Sequence, residues 1–118
     1  MNAAKLHNVY AVTLVFLLSF LLICPLRFSA KTWCVSDPSA TDAQLKANID
    51  WACSEGKVSC VIIGPGGPCY EPNTFANHAS FVMNDYYQNH GGTEEACDFN
   101  HTGRIVSTNP SYGGCVFT

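Results

Sequence analysis

The sequence predicts an α+β domain that is small and disulfide-rich, with two helices packed on a short antiparallel sheet. Three observations predict it. Six cysteines, Cys34, Cys53, Cys60, Cys69, Cys97 and Cys115, follow an apolar N-terminal stretch. In an oxidising compartment such an even set implies three bridges and a stapled fold. Two segments carry apolar residues at helical spacing between recognisable start and stop signals. The remaining apolar stretches are short, β-prone and separated by Gly, Pro and Asn turns.

Residues 1–30 read as a signal peptide and residues 31–118 as the domain. Lys5 is the only charge in a short n-region, Val9 to Cys24 is almost wholly apolar, Pro25 breaks any helix, and Ala30 offers a small residue for cleavage. Phe28 stands where a small residue is preferred. The alternative is an uncleaved membrane anchor, but the run is shorter than the roughly 20 residues a spanning helix needs, and Arg27 follows closely. A seventh cysteine, Cys24, belongs to this stretch. After the last cysteine only three residues remain, with no spacer and hydrophobic tail for a lipid anchor. The expectation is a freely secreted, extracellular domain.

Without the leader, four basic residues (Lys31, Lys46, Lys57, Arg104) face nine acids, a net charge of −5 with neutral histidines. That argues against nucleic acid or an anionic membrane as partner, since both require clustered Lys and Arg. It also argues against a cationic antimicrobial peptide. So short a domain forms a thin core, and each bridge adds about 2–4 kcal/mol, largely by restricting the unfolded chain.

The elements follow in order. Thr41-Asp42-Ala43-Gln44 has the form of a capping box. Leu45, Ile49, Ala52 and Cys53 then recur at helical spacing and Gly56 ends the segment, so a helix is expected over 41–54. Val58–Ile63 is short and β-prone. Gly64–Pro68, with two prolines and three glycines, must be a loop. The second helix is expected to start near Asn73 or Thr74, after Pro72, and to run to His90, where Gly91-Gly92 stops it. Phe75, Ala79, Val82 and Tyr86 form its core stripe, widened by Met83. Ala96–Phe99, Arg104–Ser107 and Cys115–Phe117 are expected to form a small antiparallel sheet, with His101-Thr102-Gly103 turning the first into the second.

The segments between the cysteines carry further information. They are TWCV at Thr32–Val35, IDWAC at Ile49–Cys53, GGPCYEPNT at Gly66–Thr74, HASFVMNDYYQ at His78–Gln88, ACDF at Ala96–Phe99 and NPSYGGCVF at Asn109–Phe117. In this order, around six matching cysteines, they resemble the family 43 carbohydrate-binding module of plants, over essentially all of Lys31–Thr118. That module occurs as a C-terminal appendage of β-1,3-glucanases, in plasmodesmal callose-binding proteins and as stand-alone secreted proteins. Six cysteines allow 15 connectivities. The resemblance implies one of them: Cys34 with Cys97, Cys53 with Cys60, and Cys69 with Cys115. It also implies a non-catalytic, monomeric module without cofactor whose partner is β-1,3-glucan (callose) in the plant cell wall, plasmodesmata included.

Such a glucan is neutral and has an apolar face on each ring. Holding it takes flat aromatic surfaces and a few amide or hydroxyl partners. A turn of about 100° per residue puts Asn77, Ser80, Phe81, Asn84, Tyr87 and Gln88 away from the core stripe of the second helix. Tyr70 and Tyr112 would extend this surface. The expected carbohydrate-binding residues are therefore Tyr70, Phe81, Asn84, Tyr87, Gln88 and Tyr112. The alternative for Phe81 and Tyr87 is packing beneath the C-terminal strands; the set as a whole reads as binding, helped by the resemblance.

Other residues read more plainly. Trp33 and Trp51 flank cysteines and are expected in the core. His78, His90 and His101 show no metal-ligand spacing, and no GKS or GKT follows the Gly64–Pro68 loop to make it a phosphate cradle. Asn100-His101-Thr102 is an N-glycosylation sequon in an expected turn, so Asn100 is expected to be glycosylated. A glycoside hydrolase would need two carboxylates about 5–10 Å apart across a cleft. Glu94 and Glu95 are adjacent, Asp98 follows, and Asp85 lies on the second helix, so no such pair is recognisable. A lipid-transfer or defence peptide would show adjacent-Cys and CxC signatures, which are missing. A structural or signalling wall protein without sugar affinity remains the third alternative.

Overall fold

The structure, a computed structural model, describes residues 30–118 and a short helical stretch at 11–15. The remainder of the expected signal peptide lies outside the described residues. Among the described residues no helix is long and apolar enough to cross a membrane.

Strand β1 (Trp33–Ser36) pairs antiparallel with β2 (Gly103–Val106), with Trp33 opposite Val106 and Ser36 opposite Gly103. Helix α1 (Asp42–Ser54) follows β1, and helix α2 (Phe75–Asn89) precedes β2. Short 3-10 turns lie at Val61–Ile63 and Glu95–Cys97. The α+β class with two principal helices and a two-stranded antiparallel sheet is as expected.

Both helix starts follow from their caps. The Thr41 hydroxyl accepts from the Gln44 amide at 3.2 Å, and the Gln44 side chain accepts from the Thr41 amide at 2.9 Å, a reciprocal capping box. Thr74 caps α2 by accepting from the Asn77 amide at 3.1 Å. Gly91 and Gly92, at φ 84° and 63°, turn the chain off after α2, a backbone region where glycine has no Cβ penalty.

The sheet differs from expectation. Of the three C-terminal stretches only Arg104–Ser107 supplies a strand, and its partner is β1 at the N-terminus of the domain. Ala96–Phe99 winds into the 3-10 turn and then a left-handed corner, with Phe99, Asn100 and His101 at φ 44°, 54° and 65°. Such a corner cannot continue an extended ladder. Cys115–Phe117 contributes a single bridge, Tyr112 with Cys115. Val58–Ile63 is not a strand either. Lys57 is left-handed (φ 54°), and the amides of Gly64 and Cys69 cap the Val61 and Ile62 carbonyls at 3.1 and 3.0 Å. The segment is used up as a turn.

Helix α2 lies between two apolar clusters. On one side Phe81 and Val82 join Trp33, Ala52, Val58, Ile63 and Phe117. On the other Ala79, Met83 and Tyr87 join Cys34, Leu45 and Ala96. The chain is cross-linked by three disulfides, Cys34–Cys97, Cys53–Cys60 and Cys69–Cys115, the pairing that the family resemblance implies.

Candidate functional site

Burial of α2 on two sides removes half of the expected sugar surface. Phe81, Asn84 and Tyr87 retain 7%, 1% and 2% exposure and offer no face to a ligand. Phe81 packs edge-on against Phe117 at 5.4 Å. The polar atoms of this face are already committed. Asn84 accepts from the Cys34 amide at 3.1 Å and donates to the Thr118 carbonyl at 3.0 Å. Gln88 donates to the Thr32 carbonyl at 2.8 Å and to Asn84 Oδ1 at 3.1 Å. The Tyr87 and Thr32 hydroxyls share a hydrogen bond of 2.7 Å. These side chains staple α2 to β1 and to the C-terminus; Ser80 does the same by accepting from the Ser36 amide at 2.9 Å. A helix face composed like a polysaccharide platform is here an internal seam.

Tyr70 and Tyr112 remain at the surface near the start of α2. Tyr70 stacks on His78 at 5.7 Å. The Tyr112 hydroxyl accepts from Asn77 Nδ2 at 2.7 Å and donates to the Glu71 carbonyl at 2.7 Å. The Tyr112 hydroxyl therefore ties the C-terminal segment to the loop before α2, the Tyr70 hydroxyl accepts from Asn73 Nδ2 within that loop at 3.0 Å, and the ring of Tyr112 stays exposed.

The open groove lies elsewhere, between the C-terminal halves of α1 and α2 and the corner after the Glu95–Cys97 turn. It encloses about 520 Å³, within the range of small-molecule sites. Three rings meet there: Trp51 from α1, Tyr86 from α2 and Phe99 from the corner. Trp51 stands 5.0 Å from Tyr86 and 6.1 Å from Phe99, and Tyr86 stands 5.6 Å from Phe99, all edge to face. Such mutual contacts hold each ring in place. His90 stacks on Tyr86 at 3.7 Å and completes the support. Trp51 is 42% exposed, so the expectation that it lies in the core does not hold, whereas Trp33, at 8%, is core as expected. The sequence carried the signal. Trp51 falls about 200° from Ile49 on a helical wheel, away from the Leu45/Ile49/Ala52 stripe.

Polar groups at the groove come from Asn48, Glu95, Asp98 and Asn100. Asn48 Nδ2 donates to Thr102 Oγ1 at 2.7 Å, which fixes its amide. Asp98 pairs with His101 Nδ1 at 3.1 Å on the exposed rim. Both carboxylates come from one wall, whereas the α1 wall presents Ala47, Asn48 and Trp51. Asp85 is not in the groove; it is half-buried on α2, and burial raises its carboxyl above the ordinary range. No group of three or more His, Cys, Asp or Glu side chains suited to a metal ion occurs among the described residues.

The profile described as X8 domain matches residues 32–104. The chain belongs to the X8 domain family. This is the family 43 module that the sequence resembles, and the match spans all three groove rings. This X8 domain is 48% identical over 87 residues to the major pollen allergen Ole e 10 of Olea europaea, covering 74% of this chain and 71% of that protein. It is 44% identical over 85 residues to plasmodesmata callose-binding protein 5 of Arabidopsis thaliana, covering 72% and 47%. It is also 48% identical over 93 residues to a glucan endo-1,3-β-D-glucosidase of Olea europaea, covering 79% of this chain and 20% of that protein. The chain thus spans about a fifth of the length of that glucosidase.

Proposed function

We propose that this X8 domain is a secreted, non-catalytic module that binds β-1,3-glucan in the plant cell wall through the Trp51–Tyr86–Phe99 groove. The observation that carries the reading is the exposed Trp51 ring, held by two aromatic edges at the mouth of an open groove. A neutral polysaccharide gains most from such a surface: rigid rings give contact area at low entropy cost, and the acidic domain needs no opposing charge. Two relatives support the choice of glucan, because one is named for callose binding and another for glucan endo-1,3-β-glucosidase. The three disulfides support an oxidising, extracellular location.

The non-catalytic reading rests on the groove walls. Hydrolysis needs carboxylates on both sides of the scissile bond, and here Glu95 and Asp98 share one wall. Retention on insoluble β-1,3-glucan, with cellulose as control, tests the binding. Trp51→Ala is expected to lower retention at least about tenfold, the equivalent of roughly 1.4 kcal/mol, while the circular dichroism spectrum stays unchanged. Tyr112→Ala tests an exposed ring outside the groove and is expected to have a smaller effect. Equal retention of the native domain on both polymers, or an indifferent Trp51→Ala variant, rejects the reading. So does release of reducing sugar that Glu95→Gln abolishes.

A further inference from the structure

Asn100 opens the only sequon of residues 31–118, Asn100-His101-Thr102, and it lines the same groove as Trp51, Tyr86 and Phe99. It is exposed, at φ 54° in the left-handed corner, a conformation that asparagine tolerates better than most residues. We propose that Asn100 carries an N-linked glycan whose first N-acetylglucosamine lies over the groove rings, so that the modification covers the site and restrains glucan access. The effect on glucan rests on the function proposed above; the covering of the rings does not.

The acceptor nitrogen belongs to a residue of the groove wall, next in sequence to Phe99, so the first sugar is delivered beside the aromatic surface. That surface suits the apolar face of any pyranose, the chain's own included. A tethered sugar acts as an intramolecular competitor with an effective concentration in the millimolar range. A soluble glucan then binds only the fraction of molecules in which the rings are uncovered, and its apparent affinity falls by that fraction.

The fold also sets when modification happens. Thr102 is 4% exposed. Its hydroxyl donates to the Phe99 carbonyl and accepts from Asn48 Nδ2, and its amide donates to the Asp98 carbonyl at 3.0 Å. The folded domain therefore hides the threonine that defines the sequon. Transfer must occur on the chain before the corner closes and β2 pairs. In that step the Asn100 amide nitrogen bonds to the anomeric carbon of a lipid-pyrophosphate-linked oligosaccharide. The bond from that carbon to the pyrophosphate oxygen breaks, the lipid pyrophosphate leaves with its electron pair, and the amide loses one proton to a base. Occupancy is thus fixed at synthesis.

The experiment uses the full chain produced in a eukaryotic secretory host, beside Asn100→Gly, which suits the positive φ, and beside wild type trimmed by an N-glycan-releasing amidase. Intact mass should fall on amidase treatment of wild type; an unmodified Asn100 overturns the proposal. Acrylamide quenching of tryptophan fluorescence then reports mainly Trp51, because Trp33 is buried. The quenching constant of the glycosylated protein is expected to be about half that of the two glycan-free samples; equal constants overturn the placement of the sugar. Retention on β-1,3-glucan is expected to be about tenfold weaker for the glycosylated form. If all samples bind equally, the regulation fails and the glucan reading stands. If the glycan-free samples do not bind either, the glucan reading fails and the restraint on glucan falls with it, while quenching still decides whether the glycan covers the rings. The amidase-trimmed sample keeps each comparison open should Asn100→Gly fold poorly.

Discussion

Asp85 carries its carboxylate half-buried on α2, and the lost hydration raises its pKa above the usual 3.8. The folded state therefore holds this proton more tightly than the unfolded chain does. The group favours folding most when protonated, below about 3.8, and that advantage is lost as the pH rises through the raised folded value. At neutral pH the ionised group weakens the fold. Asp85→Asn keeps the shape without the charge, so the variant should melt at a higher temperature than wild type at pH 7, and the gap should close by pH 3. A gap of equal size at both values would show that burial of the charge is not the cause. One position away, Asn84 shows why single residues were hard to read. Amide, hydroxyl and ring side chains are what a sugar surface needs, but they are equally what a buried seam needs when strand and C-terminal backbone groups must find partners. Composition does not separate the two uses; only the identity of the partner does. Trp51 was legible by contrast, because its angular offset from the α1 stripe pointed outward, and only the general tendency of tryptophan to be buried argued otherwise.

At the scale of elements, both helices could be read because their caps are local chemistry: Thr41 with Gln44, and Thr74 with Asn77, each three residues apart. The sheet could not, because β1 and β2 are joined by pairing across some seventy residues of chain, from Trp33 to Val106, and no local pattern records a partner. The corner before β2 depends on Gly103. A Cβ built there falls on the Cys97 carbonyl oxygen and 3.2 Å from Cys97 Sγ, so the strand start and the Cys34–Cys97 bridge approach each other only because this residue has no side chain. Gly103→Ala should cost about 4 kcal/mol or more, in the range of severe overpacking, and should lower the yield of folded protein with a native disulfide pattern. Gly114→Ala is the matched control: its nearest neighbour would be Pro68 Cβ at 4.0 Å, ordinary contact. Thermal denaturation of the two variants side by side checks the contrast, and equal stability would refute it.

For the whole molecule, the three bridges are not equivalent. Cys34–Cys97 and Cys69–Cys115 close stretches of 63 and 46 residues, whereas Cys53–Cys60 closes 7. Loop entropy then assigns about 4 kcal/mol to each long bridge and about 2 kcal/mol to the short one. Position sharpens the difference. Cys34 and Cys97 belong to one apolar cluster, and Cys69 and Cys115 to the other, so each long bridge ties a distant segment onto one side of α2. Cys53–Cys60 only fastens the turn after α1. A domain with a core this small has total stability comparable to one or two such terms. Replacing Cys53 and Cys60 together by Ala should therefore leave a folded protein that melts roughly 10 °C lower. Replacing Cys34 and Cys97 together should abolish the cooperative transition at 37 °C. Near-ultraviolet circular dichroism and a thiol titration of each purified variant provide the measurement. Should the short bridge prove the indispensable one, the fold is being held at the end of α1, and the account of two clusters clamped onto a central helix is wrong.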